Sequence, residues 1–579
     1  IDIKGNIKNG QIWANTNLKN TSFVYKPFGA VVRILNGDLY VRDNTIYLDK
    51  INSRISSMPV FLDGRISNIY KTPNLNIFVS AKPTQSFLDR FYNTKAVYPV
   101  KIKGDVNFNT RLHGPVNMIS SHSNLNIGEN SSIYYLGATI AGAPTGAIAP
   151  DGGLATNPVS VISDIILYPQ RMKINSLKYN QTILSQNKRK SVQNQLNASG
   201  EISILKNNVI GFKNFRVKTN QSTDAKIFNV LLKKPTIKQG VFTADLLING
   251  TSVAPNILGF LNITSVDIPL LDATIRDINI DFKHDFVNLT AKGIILTNDI
   301  MLMAKIVNNP NPPIVVEDAK ILMDVLNLNI ISNALNDFEA DNTRNNQLQY
   351  SGKIPFSAEQ LLIKKAQVKA DKILIKKANA TNFVSEMSLG ADHVFNIDKY
   401  SFNLANGKVA GKMNYNLDTF AGYGEMNISN ADAQIIGENF FDMPGQMFGH
   451  VTGNMQVACK GLSSVDCINT LSGNGTFKVQ DGRMPKLGSL EYLLKAGNLI
   501  TGGITGLSIN GIIDLITPLK TGNFESISGE VHVKDGIAND IQIYSKGKDL
   551  NMYLTGSYNI STLIADMEVY GSLSKNFST

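Results

Sequence analysis

A short phrase recurs along the whole chain: a glycine, followed by polar and apolar residues in strict alternation. Side chains on a β-strand point alternately to its two faces, so each copy predicts a strand with one apolar and one polar face. The glycine is expected to supply the backbone freedom of a tight turn just before the strand. Copies begin at Gly37, Gly104, Gly200, Gly411, Gly424, Gly453, Gly475, Gly529 and Gly556. Their irregular spacing favours meandering hairpins in a long antiparallel sheet over a solenoid of fixed period.

The charge balance argues against a nucleic-acid-binding protein. Charged residues make up 18% of the chain, below the roughly 25% of an average soluble protein. The net charge of +10 arises from 56 basic and 46 acidic residues that are spread thinly. Local clusters such as Lys188-Arg189-Lys190 accompany no recognisable binding module, so no nucleic-acid partner is expected. A mild attraction between the excess positive charge and anionic lipid headgroups is the favoured interpretation.

No stretch reaches the ~20 uninterrupted apolar residues of a membrane-spanning helix. The sequence begins without an initiator methionine or a signal peptide, and its first seven residues already have the pattern of a strand. We therefore expect this chain to be part of a longer protein whose targeting or anchoring segment lies upstream.

Four stretches carry apolar residues at helical rather than strand spacing. They are residues 85–92, 316–333, 435–448 and 487–500. Each of the last two lies between strands, and packing against the apolar face of the sheet is the favoured interpretation. For 487–500 the alternative is membrane contact, because Lys486 and Lys495 flank its apolar side.

Breaks in the strand pattern divide the chain into five parts. A small-residue, proline-bearing loop at 137–158 and the proline-rich segment 310–313 mark the clearest breaks. The predicted parts are a β-repeat region (1–136), a loop-containing insertion with connecting strands (137–197), a second β-repeat region (198–308), a linker with room for a helix (309–350) and a C-terminal region (351–579).

Motifs for catalysis or metal binding are absent from the sequence. The six histidines are scattered without metal-ligand spacing, and no nucleophile elbow or phosphate loop occurs. We therefore expect no enzymatic activity, no metal and no cofactor, unless converging carboxylates form a pocket. Cys459 and Cys467 lie close enough in sequence for a small disulfide, although two free thiols are nearly as well supported. A zinc site is discounted because no histidine lies near them.

Four segments of the last third, taken in order, resemble the AsmA-like family of bacterial envelope proteins. The segments are Leu404–Tyr415, Leu471–Met484, Leu490–Leu494 and Gly522–Gly536. The resemblance covers about residues 349–575, while 30–70 and 240–285 look like looser upstream repeats. It implies a curled sheet forming an open trough, often called a β-taco, whose apolar interior holds acyl chains. It also implies a periplasmic, bridge-like lipid transfer protein that carries phospholipid between the inner and outer membranes. An inner-membrane anchor and further envelope proteins as partners follow from the family, not from these residues.

Elementary physics supports a filled or covered apolar face. A sheet with one exposed apolar face would aggregate, so that face must be closed, covered or filled. Acyl chains could slide along such a lining, because aliphatic contacts are non-directional. The candidate lining residues are Leu39, Val41, Val106, Phe108, Ile202, Ile204, Met413, Tyr415, Met426, Ile428, Met455, Val457, Phe477, Val479, Val531 and Val533.

Two other interpretations remain open at this point. The same apolar residues could meet each other in a closed core, as in a structural or adhesive surface protein. A third interpretation, within the same family, is an assembly factor for outer-membrane proteins that engages client strands through exposed strand edges.

Overall fold

The computed structural model describes most of the chain, in segments separated by gaps. The described residues are 2–6, 11–25, 30–88, 100–128, 132–135, 138–141, 159–184, 191–205, 209–225, 239–268, 273–295, 298–309, 311–329, 361–440, 444–445, 447–461, 464–483, 523–547, 550–562 and 564–573.

The predicted fold class is confirmed. Strands account for 79% and helices for 5% of the structure, and the strands form a curled, open, mostly antiparallel arrangement that is not closed into a barrel. The chain divides into two compact units. Unit 1 comprises Ile1–Thr297 with Asn308–Pro310, and unit 2 comprises Asn298–Val307 with Asn311–Thr579. The five-part division made from the sequence is finer than these units and stays a prediction.

Among the described residues of unit 1, the structure has strands β1 to β21 and one short helix, α1 (Gln85–Leu88). The strands are β1 (Asp2–Asn6), β2 (Gln11–Asn17), β3 (Thr21–Tyr25), β4 (Ala30–Arg42), β5 (Thr45–Ile55), β6 (Met58–Ser67), β7 (Asn74–Ala81), β8 (Val100–Lys103), β9 (Val106–Pro115), β10 (Ile119–Ile127), β11 (Ser132–Tyr135), β12 (Ala138–Ala141), β13 (Val159–Leu167), β14 (Arg171–Leu184), β15 (Ser191–Ile204), β16 (Ile210–Thr219), β17 (Thr223–Asp224), β18 (Gln239–Thr251), β19 (Pro255–Ile268), β20 (Ala273–Phe282) and β21 (Phe286–Ile295).

Antiparallel pairing in unit 1 follows chain order almost throughout. From β4 the order is β4, β5, β6, β7, β9, β10, β13, β14, β15, β16, β18, β19, β20 and β21, and β4 also pairs with both β2 and β3. Strands β8, β11 and β12 form a separate small sheet. Consecutive pairing of this kind is the meander that the irregular repeats predict.

Among the described residues of unit 2, the structure has strands β22 to β34 and the two short helices α2 and α3. Its elements are β22 (Asn298–Val307), β23 (Ile314–Asn327), β24 (Leu361–Ile375), β25 (Ala378–Leu389), β26 (Val394–Leu404), β27 (Gly407–Asn416), β28 (Ala421–Asp432), α2 (Ala433–Phe440), β29 (Phe448–Lys460), α3 (Ser464–Asn469), β30 (Ser472–Arg483), β31 (Asn523–Lys534), β32 (Ile537–Gly547), β33 (Leu550–Asn559) and β34 (Ile564–Leu573). These strands pair in chain order, and β23 with β24 is the parallel pair.

Tight two-residue turns connect several of the hairpins. Both central residues have positive φ at Asp43-Asn44, at Ala405-Asn406 and at Asp535-Gly536. A turn with two positive φ angles is type I′, whose twist matches that of the flanking strands. Asparagine, aspartate and glycine tolerate this conformation best, so the sequence specifies the turns at Asp43-Asn44 and Asp535-Gly536 locally, whereas Ala405 adopts it without that preference.

The helix predictions have mixed outcomes. Helix α1 confirms the described part of 85–92, and α2 confirms a helix in 435–448, although it ends at Phe440 and Phe448 already begins β29. The helix prediction for 316–333 was wrong up to Asn327, because β23 occupies Ile314–Asn327. Leu328 and Asn329 are helical, and 330–333 lie outside the described residues. Strand β23 is paired on both sides. Its charged residues Glu317, Lys320 and Asp324 recur at intervals of three and four, which imitates the polar face of a helix. The stretch 487–500 lies outside the described residues.

Two further expectations need correction. The predicted loop at 137–158 contains strand β12, and its remaining residues lie outside the described part of the chain. The repeated glycines were expected in turns before strands, but most lie inside strands: Gly411 in β27 and Gly529 in β31 are examples. The reason is that these glycines make room for bulges or for large neighbouring side chains, as described below.

Candidate functional site

The candidate site in unit 2 is one face of the strands β26 to β34. Residues directly paired across neighbouring strands lie on the same face, and three such rows cross all nine strands. The first row is Phe402, Val409, Ile428, Gly453, Phe477, Gly529, Ile543, Leu554 and Val569; the second is Tyr400, Gly411, Met426, Met455, Gly475, Val531, Ile541, Gly556 and Met567; the third is Ile397, Met413, Gly424, Val457, Gly473, Val533, Ala538, Tyr558 and Ala565. We call these rows the unit 2 apolar face. At ~4.8 Å between strands, each row runs about 38 Å.

Glycines and large side chains complement each other on this face. A Cβ atom added to Gly529 would collide with the ring of Phe477, and one added to Gly411 would meet the Glu425 carbonyl oxygen together with the Tyr400 ring and hydroxyl. Each large side chain therefore lies over a glycine of the neighbouring strand. The glycine phrase thus encodes close side-chain packing along the rows, in addition to backbone freedom.

Several apolar side chains on the face keep a large exposed fraction. Met413 is 43% exposed and Met455 is 38% exposed, although both lie in the middle of the sheet. Tyr415, Met426, Ile428, Val457, Phe477, Val531 and Val533 are half-buried. In contrast Val479 is only 4% exposed and joins a core cluster with Ala433, Phe524 and Ile527. Other residues of the same rows are buried, with Ile541, Leu554 and Met567 at most 6% exposed in a core cluster of β32 to β34. The exposed apolar surface of the face is therefore concentrated around Met413 and Met455.

The ionisable side chains on these rows and at their end are tyrosines. Burial raises the pKa of Tyr400, Tyr415 and Tyr558 above the usual phenol range. The Tyr400 hydroxyl donates to the Glu425 carbonyl oxygen at 3.1 Å, and the Tyr415 hydroxyl donates to the Gly461 carbonyl oxygen at 3.0 Å. These phenols are neutral near pH 7, so they add no charge to the face.

Helix α2 covers one margin of the unit 2 apolar face. The Asp432 carboxylate caps it, accepting hydrogen bonds from the backbone N–H groups of Gln434 (2.9 Å) and Ile435 (3.4 Å). Ile435, Ile436 and Phe440 pack against a buried cluster that includes Val409 and Leu404. This packing is the one predicted for the helical stretch at 435–448.

A disulfide lies at the opposite margin. Cys459, near the end of β29, is bonded to Cys467 in α3, which confirms the disulfide interpretation over two free thiols. Cys459 follows Val457 by two residues on the strand, so it lies on the apolar side. The apolar rows therefore run between α2 at one end of the strands and the disulfide-bonded α3 segment at the other.

The opposite face of the same strands is polar. Lys412 pairs with Glu425 at 3.3 Å, and the Tyr423 hydroxyl donates to Glu425 at 2.6 Å. The hydrogen bond from Tyr423, followed by Lys412, lowers the pKa of Glu425. Residues 412 and 413 are neighbours in sequence, yet one is in this ionic network and the other is on the apolar face, as strand alternation requires.

The candidate residues of unit 1 also share a face. Cross-strand pairing links Leu39 through Leu48, Gly64, Ile77, Leu112, Ser121, Ile165 and Ile174 to Gly200. Val41, Val106, Phe108, Ile202 and Ile204 lie on the same side by alternation. Val106 is 4% exposed and packs with Leu88 of α1, whereas Ile204 is 67% exposed. Leu39, Val41, Phe108 and Ile202 are half-buried.

Sequence reasoning missed a hydroxyl cluster on the unit 1 apolar face. Thr110, Ser121 and Ser123 form a ring of hydrogen bonds, at 3.0 Å for Thr110–Ser121, 2.9 Å for Ser121–Ser123 and 2.8 Å for Ser123–Thr110. Mutual hydrogen bonding offsets the cost of burying these groups among apolar neighbours. Serines at the apolar positions of β10 were the available signal.

Comparisons with known proteins do not assign the chain to a family. No family model matches it, and no curated protein matches it either. Within the described residues, no helix is long and apolar enough to cross a membrane. The same residues contain no group of three or more histidine, cysteine, aspartate or glutamate side chains placed to hold a metal ion.

Proposed function

We propose that the protein carries phospholipid acyl chains along the apolar face of its sheet, with headgroups in water at the margins. The observation that carries the proposal is the unit 2 apolar face, which is continuous over nine strands and leaves Met413 and Met455 more than a third exposed. The resemblance to AsmA-like proteins adds the setting: the bacterial cell envelope, with transfer between the inner and outer membranes through the periplasm and an anchor outside this sequence.

Physical reasoning favours an apolar ligand over a closed core. A side chain in a closed core is rarely exposed beyond a few per cent, because interiors are close-packed. A row of partly exposed methionines is instead adaptable, since the unbranched thioether fits ligands of variable shape. Neutral tyrosines and glycines on the rows leave a sliding acyl chain without charged groups to desolvate.

The two alternative functions differ from lipid transfer in the ligand or partner that each requires. A structural or adhesive protein needs no ligand on the apolar face. An assembly factor for outer-membrane proteins would use a free strand edge, and β34 is the last strand of unit 2 among the described residues. Co-purifying lipid supports transfer, and co-purifying barrel proteins would support assembly.

The test compares two carboxylates introduced at neighbouring positions of β29. Met455→Glu places a charge on the apolar face, whereas Asn454→Glu places it on the polar face of the same strand. Both positions are exposed by more than a third of their area, so neither change buries a full charge. Lipid bound to the purified chain is counted by native mass spectrometry and identified after extraction.

We expect several phospholipids per chain in the wild type, fewer in Met455→Glu and an unchanged number in Asn454→Glu. Equal melting temperatures for the two variants exclude a loss of folding as the cause. A lipid-free, stable wild-type protein would refute the proposal and favour a structural role.

A further inference from the structure

A line of β-bulges crosses the polar face of unit 1. The register shifts in four successive pairs, β13–β14, β14–β15, β15–β16 and β16–β18, beside Asn175, Gly200 and Asn214. Gly200 has a φ of +126° and Asn214 a φ of +48°. A bulge bends its strand and increases the local twist. Aligned bulges therefore bend the sheet along a line and make its polar face locally concave.

The concave region is a shallow furrow across strands β9 to β16. It consists of three adjoining depressions of about 480, 340 and 320 Å³. The first two share Ser176 and Lys178, and the second and third share Asn175. Six strands at ~4.8 Å spacing give the furrow a length of about 24 Å. That length suits an extended ligand better than a compact one.

Cations without an ion-pair partner line the furrow. Arg111, Lys173, Lys178 and Lys213 are exposed there, and within the described residues none of them lies within salt-bridge distance of a carboxylate. Arg216 differs, because it is held by Asp245 at 2.7 Å. The unpaired cations give the furrow a positive potential that an anionic ligand would complement.

Acceptors and amides lie among these cations. The carboxylates of Asp164 and Glu201 line the furrow, and Asp164 contacts His122 at 3.3 Å. The amide-bearing residues are Asn109, Asn124, Asn175, Asn197 and Asn214. The Oδ1 atom of Asn124 is buried and has no hydrogen-bond partner in the described part of the chain. Because that atom is sealed from solvent, the groups open to a ligand are the two carboxylates and the exposed amides of Asn175 and Asn214.

We propose that this furrow binds an acidic oligosaccharide. The unpaired cations would pair with its carboxylates, and the asparagine amides, Asp164 and Glu201 would hydrogen-bond its hydroxyls. This site lies on the face opposite the proposed acyl-chain lining of unit 1, so it does not depend on lipid transfer.

The mixed charges distinguish this ligand from a nucleic acid. A polynucleotide carries one charge per residue, and the two carboxylates in the furrow would repel it. Single-stranded nucleic acid is also held by stacking on aromatic side chains, and Phe78 is the aromatic residue among the described lining of the three depressions. A chain with many hydroxyls and sparser carboxylates fits the observed groups better.

The experiment measures binding of a hyaluronan tetrasaccharide, which carries one carboxylate for every two sugars, to the full 579-residue chain by isothermal titration calorimetry in 50 mM salt. Maltotetraose serves as the neutral probe, a single-stranded DNA dodecamer as the nucleic-acid probe and phosphatidylglycerol vesicles as the lipid probe. The test variant is Arg111→Gln/Lys173→Gln/Lys178→Gln. The control is Lys292→Gln, an exposed lysine of β21 on the polar face that has no ion pair in the described residues.

We expect the hyaluronan tetrasaccharide to bind and maltotetraose not to bind. Loss of an exposed charge contact weakens binding roughly twofold, so the triple variant should bind about eightfold more weakly, whereas Lys292→Gln should bind like the wild type. Absent binding, or equal weakening in both variants, overturns the proposal. Tighter binding of the DNA or the vesicles, with the same loss in the triple variant, also overturns it and replaces it with a general polyanion site. Because all substitutions are at exposed positions, an unchanged melting temperature is expected and is checked for each.

Discussion

The packing of Phe477 over Gly529 gives a prediction with a matched control. In Gly529→Ala, the new Cβ would have three atoms of the Phe477 ring within 3.1 Å. In Gly475→Ala, on the same face of the adjacent strand, the nearest atom is the Asn454 carbonyl oxygen at 3.4 Å. Neither glycine needs a positive φ. The two substitutions therefore differ in the space available and in little else.

The expected changes in the free energy of unfolding follow from that difference in available space. Overpacking of a methyl group costs about 1–3 kcal/mol, and replacing glycine by alanine recovers about 0.4–1 kcal/mol of unfolded-chain entropy. Gly529→Ala should thus destabilise the β30–β31 region by about 1–2 kcal/mol. Gly475→Ala should leave it unchanged or stabilise it by about 0.5 kcal/mol, since only the entropy gain applies.

Local hydrogen exchange is the suitable assay, because a long meander opens region by region. A loss of ~1.4 kcal/mol speeds exchange about tenfold, so peptides from β30 and β31 should exchange about tenfold faster in Gly529→Ala. Phe477→Leu should partly rescue the alanine variant, because it removes the ring that the Cβ meets. Equal exchange in the two alanine variants, or no rescue by Phe477→Leu, would refute the packing argument.

Two further predictions concern the margins of the unit 2 apolar face. Asp432→Ala removes the cap of α2 and should cost about 1 kcal/mol, seen as faster exchange in α2 peptides while β34 is unchanged; unaltered α2 exchange would contradict the capping role. Cys459→Ser/Cys467→Ser opens a loop with a sequence separation of 8 and should cost up to about 2.5 kcal/mol, measured as faster exchange in α3. Thiol labelling of the unreduced wild-type protein would show instead that the cysteines are not bonded.

Strand alternation made most of the fold predictable from the sequence. An alternating pattern indicates both that a segment is a strand and which side chains share a face. For this reason all sixteen lining candidates fall on the apolar side of their own unit. Pairing between neighbours in sequence then needed only short turns, such as Asp43-Asn44 and Asp535-Gly536. These signals are local, so a single sequence is enough to recognise them.

The incorrect predictions concern residues whose structural role depends on their neighbours across the sheet. The sequence of β23 does not reveal that strands flank it on both sides, and its charged residues Glu317, Lys320 and Asp324 recur at helical rather than alternating spacing. A glycine such as Gly529 looks like a turn residue, because nothing nearby in sequence indicates that Phe477, 52 positions away, will lie over it. The exposed fractions of Met413 and Met455 also depend on long-range packing.

The bulges of unit 1 show how one sheet keeps two independent surfaces. A bulge places an extra residue in one strand, which would normally turn every later side chain to the other face. In β14 the apolar face continues from Ile174 to Leu177, and in β16 it continues from Phe212 to Phe215, whose rings lie 5.6 Å apart. The inserted residues between them, Asn175 among them, therefore go to the polar side. The same irregularity that shapes the furrow thus leaves the apolar face uninterrupted, so the two surfaces can be altered separately by mutation.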